Sequence, residues 1–541
     1  MDKEFDDLVQ EYVDYWVEKN PILGTYLGLH QYDHLLPDGT RDAFLDNVQK
    51  DKEFQQRFEA IDESELSPLK RIERKAILHT LKVSLFREEE YRQWESNPTG
   101  IDVIGASIFR LYARDFAPLE ERLGNITARL KRTPRYLREY KTRITRPVKL
   151  WVEIQIESSK RFPMFLDDIV NTAESVLDSA KLEELEDAVK DTKEAVSEYE
   201  RWLTDDLLPK AEEEYRMGEE LFDKTIELKN LGLSVEEIRK LGDQYLDANK
   251  KKLEEIAEKI EPGAGVEKVR KIVKSKHPDN FEEIMKEYRD SVEKSRTFVQ
   301  EYGMIDLPPR ESLSVVETPG YLRHTIPFAA YMMPGRYDEK QEGIYMVTPT
   351  EDKPEMLDEH SYAEIMNTSV HEGYPGHHLQ LVFSNMQPSL VHAIVHASES
   401  VEGWAHYCED WMKEMGFDDT PETRFAQTID LVWRSARIVV DVDLHTKKIT
   451  MEEGVDFLVE QVGMERPAAV AEVKRYTSNP GYQLCYLIGK HLIMQLRDEV
   501  KERMGDAYTD GFFHNTFLEV GSMPMYLVRQ VFDVKLKEMG L

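Results

Sequence analysis

From Ser179 to Arg216 the chain is almost entirely helix formers, with Leu, Val and Ala three and four residues apart among Glu and Lys. Val235 to Ile260 and Asn280 to Tyr302 repeat the pattern. Apolar side chains at that spacing share one stripe of a helix, so each segment predicts a long amphipathic helix with its opposite face in solvent. The Glu/Lys alternation on that face reads as surface pairing between residues four apart. Between Leu307 and Pro354 the period changes, with seven prolines and β-branched runs such as Ser314-Val315-Val316. This predicts a small β element near residues 310–350, with Gly343 to Thr348 as a strand. Helical periodicity then returns over about 358–382, 390–416, 421–447, 451–461, 465–476, 480–508 and 524–538. The expected fold is therefore mainly α. A helical N-terminal half (1–306) packs on a C-terminal half (307–541) as one continuous structure.

Composition narrows the function classes. The 541 residues are 41% hydrophobic and 32% charged, as in a globular chain, and no run of 18 apolar residues predicts a membrane span. The net charge of −33 repels nucleic-acid phosphates and anionic lipid head groups, so neither is an expected partner. The N-terminus, Met1-Asp2-Lys3-Glu4-Phe5-Asp6-Asp7, is acidic where a signal peptide is basic and then apolar, and a cytoplasmic location is the expectation. With only Cys408 and Cys485, there is neither a disulfide framework nor a cysteine-rich zinc site; one bridge between the two is the most the chain can form.

The histidines are spread thinly except in one place. Six of the fifteen lie between 371 and 406, together with Glu372, Glu399, Glu402 and Glu409. Imidazoles and carboxylates are the ligands of a catalytic zinc when thiolates are lacking. The common helical motif H-E-x-x-H needs a second His four residues after the first, but Pro375 stands there, and the next histidines are His377 and His378. On an ideal helix His378 would share a face with His371 but lie about 10.5 Å along the axis, too far for one ion to bind both with ease. Pro375 has no amide hydrogen and its ring clashes with the carbonyl four residues back, so the helix is not ideal. A bulge at Tyr374-Pro375-Gly376 returns His377 to the face of His371. The expected ligands are thus His371 and His377 for one zinc ion, with His378 left as a nearby substrate-binding group. The third is a carboxylate from the next helix, where Glu402, His406 and Glu409 share a face. Glu402 is preferred because Gly403 and Ala405 allow close helix approach; Glu399 is the fallback. His406 and the remaining acids orient the imidazoles. A di-metal carboxylate bundle is disfavoured, since no histidine has Glu three residues before it.

His-Glu-Gly-Tyr-Pro-Gly-His-His-Leu-Gln followed by Glu-Gly-Trp-Ala resembles the "domain of unknown function" family eight-eight-five, whose members are regarded as glutamate-zincin metallopeptidases related to helical oligopeptidases and carboxypeptidases. Similar patterns occur at Pro21 to Thr25, Leu27-Gly28 and Tyr32-Asp33, at Arg437, Asp441 and His445, and at Arg475-Tyr476 with Pro480 to Gln483, Tyr486 and Gly489. Leu484 departs from the small residue expected after Gln483. The resemblance implies a mostly helical fold with a deep central channel, and it does not fix the substrate; a short peptide is the expectation from the zinc-peptidase reading of the residues.

On that reading zinc acidifies its bound water, and Glu372 takes the proton and passes it to the leaving amine. Tyr486 and Tyr476 are candidate oxyanion donors by analogy with helical zinc peptidases. Arg475 is a candidate fork for a terminal carboxylate. Arg437, Asp441 and His445, four residues apart on one face, are expected to support the metal helices from behind. The Gly343–Thr348 strand is expected to hold an extended peptide at a sheet edge. A zinc hydrolase of another amide or ester, and a non-catalytic helical metal-binding protein, are the competing readings.

Overall fold

The computed structural model describes residues 1–303, 305–318, 323, 329–349 and 354–541. Parts of the proline-rich segment, 319–322, 324–328 and 350–353, lie outside the described residues. The protein is mainly helical, as the periodicity requires. The second predicted helix is present as α1, Val235–Ile260, started by a capping box in which Ser234 and Glu237 satisfy each other's backbone amides. The first is shorter than predicted, Ser179–Arg201, continuing as a wider turn to Leu207. Pro209 cannot continue the hydrogen-bond ladder, and the residue before a proline avoids the helical region.

The β element is one three-stranded sheet: β1, Glu311–Glu317, β2, Ala329–Met332, and β3, Gln341–Val347, in the order β1-β3-β2. β3 runs parallel to β1, pairing Gln341 with Glu311, and antiparallel to β2, pairing Val347 with Ala329. The strand expected to receive a peptide is therefore the central one and has no open edge. β2 is an edge strand instead.

The C-terminal half carries α2, Tyr362–Glu372, α3, His377–Met386, α4, Ser398–Glu414, α5, Pro421–His445, α6, Arg466–Thr477, and α7, Cys485–Met504. Three predicted helices are interrupted. The first breaks at 373–376, the second leaves only one separate turn, Val391–Ile394, ahead of α4, and the helix expected from 480 begins at Cys485. Pro480 and Gly481, with φ of 73°, account for that late start. A further helix, Asp510–Val520, was not predicted.

Packing follows from small residues at crossings. At the α4–α7 crossing Gly403 meets Gly489: a Cβ on Gly489 would lie 2.0 Å from the Glu399 carbonyl oxygen, and one on Gly403 would lie 2.4 Å from the Gly489 carbonyl carbon. The two backbones thus touch, at a crossing with α7 and not with the helices that carry His371 and His377. One hydrophobic core runs from Phe5 and Val9 in the first helix to Phe532 and Leu536 in the last, so both halves of the chain contribute to it. Cys408 and Cys485 are buried and free. Among the described residues no helix is long and apolar enough to cross a membrane.

Candidate metal centre

The break between α2 and α3 builds the site. α2 stops at Glu372, and the chain doubles back through Gly373 to Gly376, with a cis Tyr374–Pro375 peptide. The Gly376 amide donates to the Val370 carbonyl at 3.1 Å. The Pro375 carbonyl accepts from Trp404 Nε1 at 2.8 Å, which ties the turn to α4. A Cβ on Gly376 would stand 1.9 Å from the His371 carbonyl oxygen, so a side chain is excluded there by contact. The sequence predicts a bulge within one helix; the structure has two helices and a tight turn. The consequence for His377 is the one expected, because its ring lies 4.7 Å from that of His371, with the planes at 87°.

His371, His377 and Glu402 each bring one ligand atom to a common point, all within 4.8 Å of one another. His377 Nε2 is 3.5 Å from Glu402 Oε2. Tetrahedral zinc with bonds of ~2.1 Å holds its ligand atoms roughly 3.4 Å apart, so this pair already stands at coordination distance. The other Glu402 oxygen accepts from Tyr482 OH at 2.6 Å. Behind the triad, Glu409 Oε1 lies 2.7 Å from His371 Nδ1 and 3.0 Å from His406 Nδ1. With Nδ1 of His371 engaged, its Nε2 is the nitrogen left for the centre, the arrangement by which carboxylates orient metal-binding imidazoles. Arg434 Nε donates to His406 Nε2 at 3.3 Å, which assigns the His406 proton to Nδ1, facing Glu409.

The electrostatics suit a cation. Burial alone would lower the pKa of His371, but the Glu409 hydrogen bond and the charges of Glu372, Glu409 and Glu402 outweigh it and raise it to about 9. Burial would raise that of Glu402, yet His377, His371 and the Tyr482 hydroxyl hold it well below the usual carboxylate range. His406, buried, is pushed down to about 4. Three carboxylates around two imidazoles, without a thiolate, fit zinc. A testable sign follows. In the metal-free protein the proton on His371 stabilises the fold fully below pH 6.5, and this contribution is lost as pH rises through about 9. A zinc ion taken up by His371 would displace that proton, so apparent affinity should rise about tenfold per pH unit up to that point and then flatten, as read by chelator competition. A flat profile would contradict the assignment of His371.

The centre opens on a cavity of about 370 Å³. Glu372 lines it beside the triad, Arg434, Arg437 and Tyr486 form another part of its wall, and β2 contributes Ala329 to Tyr331. His396 lines both this cavity and a second one of about 550 Å³. Glu399, the fallback ligand, lines the second, 3.5 Å from Lys229.

Several residues picked from the sequence stand elsewhere. His378 is fully buried, with Nε2 2.9 Å from Glu311 and Nδ1 3.1 Å from Tyr331 OH, so both ring nitrogens are engaged against the sheet and neither is free for substrate. Tyr476 is fully buried; its hydroxyl receives Arg437 Nε at 3.0 Å and donates to Glu472 at 2.8 Å, away from the cavity wall. Arg475 gives Nη2 to Glu472 at 2.9 Å and Gln483 at 3.4 Å and stands off the cavity wall. Asp441 accepts from the Gly481 amide, and His445 Nε2 lies 3.1 Å from the Tyr476 carbonyl, so this pair pins the turn before α7 and not the metal helices. Arg437, expected to support those helices from behind, lines the cavity itself. Tyr482, Arg434 and Glu409 were given no individual role. Tyr482 stands one helical turn before Tyr486, and Glu409 one turn after His406, which were the available signals.

The profile of the family described as "Bacterial protein of unknown function (DUF885)" matches residues 21–531. Two solved structures share the fold. A "putative lipoprotein of unknown function" from Shewanella oneidensis is 23% identical with a TM-score of 0.79, over 97% of this chain and 99% of that one. The "putative lipoprotein" from Colwellia psychrerythraea is 18% identical with a TM-score of 0.85, over 99% of both chains. None of the curated proteins matches. With the family profile matching nearly the whole chain, the protein belongs to the DUF885 family of bacterial proteins of unknown function.

Proposed function

We propose that the chain is a zinc-dependent peptidase acting on short peptides. The observation that carries this is the convergence of His371, His377 and Glu402 with Glu372 lining the same cavity. Zinc held by the triad would supply Lewis-acid activation of water and of the scissile carbonyl. Glu372 takes a proton from the attacking water and delivers it to the leaving amine, while the water's hydroxyl goes to the carbonyl carbon as the C–N bond breaks. Tyr486 lines the same cavity; burial first, and then the charge of Glu402, raise its pKa and keep its hydroxyl a donor for the developing oxyanion. β2 pairs only with β3 among the described residues and borders the cavity, so an extended peptide can add to its outer edge. A space of about 370 Å³ favours short substrates over folded ones.

The test is mass spectrometry of a peptide mixture incubated with the protein, with a chelator, and with zinc restored. Cleavage that disappears with chelation and returns with zinc is expected. Cleavage indifferent to the chelator would reject the metal mechanism. Intact peptides beside consumed esters or acyl amides would reject the substrate class.

A further inference from the structure

We infer that Arg434 and Arg437 anchor the free C-terminal carboxylate of the substrate, which makes the site a carboxy-terminal exopeptidase centre; the inference rests on the peptidase reading above. The two guanidiniums stand three residues apart on α5, and both line the cavity of the metal centre. Each is held from behind. Arg437 gives Nε to Tyr476 OH and Nη2 to Glu472, both at 3.0 Å. Arg434 gives Nε to His406 at 3.3 Å and Nη1 to Asp430 at 2.6 Å. Arg437 Nη1 and Arg434 Nη2 have no hydrogen-bond partner among the described residues, and neither is among the buried atoms left unsatisfied. They are the nitrogens left for a ligand in the cavity that both residues line. Aromatic rings keep both groups rigid: Trp433 packs 4.4 Å from Arg434 and 4.1 Å from Arg437, and Tyr486 packs 4.7 Å from Arg437.

Charge also favours an anion there: Glu472 is shared between Arg437 and Arg475, so it does not neutralise Arg437 alone, while Arg434 is paired with Asp430. The triad side of the same cavity is anionic, with Glu372 and Glu402. A peptide with a free carboxylate matches that polarity, whereas the interior of a long chain offers no charge of its own. Pre-fixed guanidinium forks are the side chains best suited to a planar carboxylate. The anchor is also close to the chemistry. Arg434 touches His406, whose ring is 4.8 Å from that of His371. Both guanidiniums and the triad line one cavity of about 370 Å³, so a chain held by its carboxylate presents a bond within its last few residues.

The experiment compares N-acetylated peptides as free acids and as C-terminal amides. Mass spectrometry reads cleavage by the zinc-loaded protein, and calorimetry reads binding to zinc-loaded Glu372→Gln protein. Free acids should be cut within their last few residues, and amidation should lower kcat/KM by about 10- to 100-fold, the weight of a charge-assisted contact. The same preference should appear in binding, and Arg437→Lys or Arg434→Gln should shrink it. Acids and amides cleaved equally, or internal bonds cut, would overturn the anchor and leave the peptidase reading intact. Preferential binding of acids without any cleavage would uphold the anchor and reject that reading. Neither binding preference nor cleavage would overturn both.

Discussion

Glu372→Gln protein is expected to bind zinc with unchanged stoichiometry and to lose peptide turnover by about 10²- to 10⁴-fold, the usual weight of a positioned general base. The two properties separate because Glu372 is next to a ligand without belonging to the set; His371, His377 and Glu402 are the converging groups. No described side chain hydrogen-bonds its carboxylate, so an amide of the same shape removes only its charge beside His371, and the melting temperature of the zinc-loaded protein should hold. What the amide cannot do is accept a proton from water. Metal content by mass spectrometry and kcat on a good peptide, measured on the same preparation, decide the matter. Undiminished turnover with full zinc would remove Glu372 from the mechanism.

Gly376→Ala should have the opposite profile, with the metal lost first. The added methyl would be 1.9 Å from the His371 carbonyl oxygen and 2.4 Å from that of Val370, and backbone cannot yield as a flexible side chain can. Either the end of α2 or the start of α3 has to move, and each carries one imidazole of the triad. The expected result is a stability loss of about 3 kcal/mol in urea unfolding and zinc affinity down at least roughly 100-fold by chelator competition. Retained affinity would mean that the turn does not position the two histidines.

Much of the centre was readable from residue types and spacing. Pro375 ruled out the ordinary motif, and the clash it makes pointed to His377 over His378. Gly403 does mark a close helix crossing, but with α7; the placing of Glu402 beside His377 comes from the fold. What escaped depended on neighbours distant in sequence. Nothing local says that His378 faces Glu311, 67 residues earlier, or that β3 is enclosed by β1 and β2. Arg475 and Arg437 are indistinguishable as isolated arginines. Only the fold shows that one stands off the cavity wall, held by Glu472 and Gln483, while the other lines the cavity. The helix at 510–520 was also missed, although Thr509 caps it in the ordinary way.

Glu409 has a consequence for how such a protein can change over generations. One of its oxygens lies against His371, and against His406, which in turn receives Arg434. On the proposed reading, zinc retention and the Arg434 half of the carboxylate anchor therefore hang from a single atom. A substitution at Glu409 disturbs both at once, and no single change there can retune one while sparing the other. Variation in specificity has to arise further out, at Asp430, Glu472 or Trp433, where the guanidiniums are braced independently of the metal.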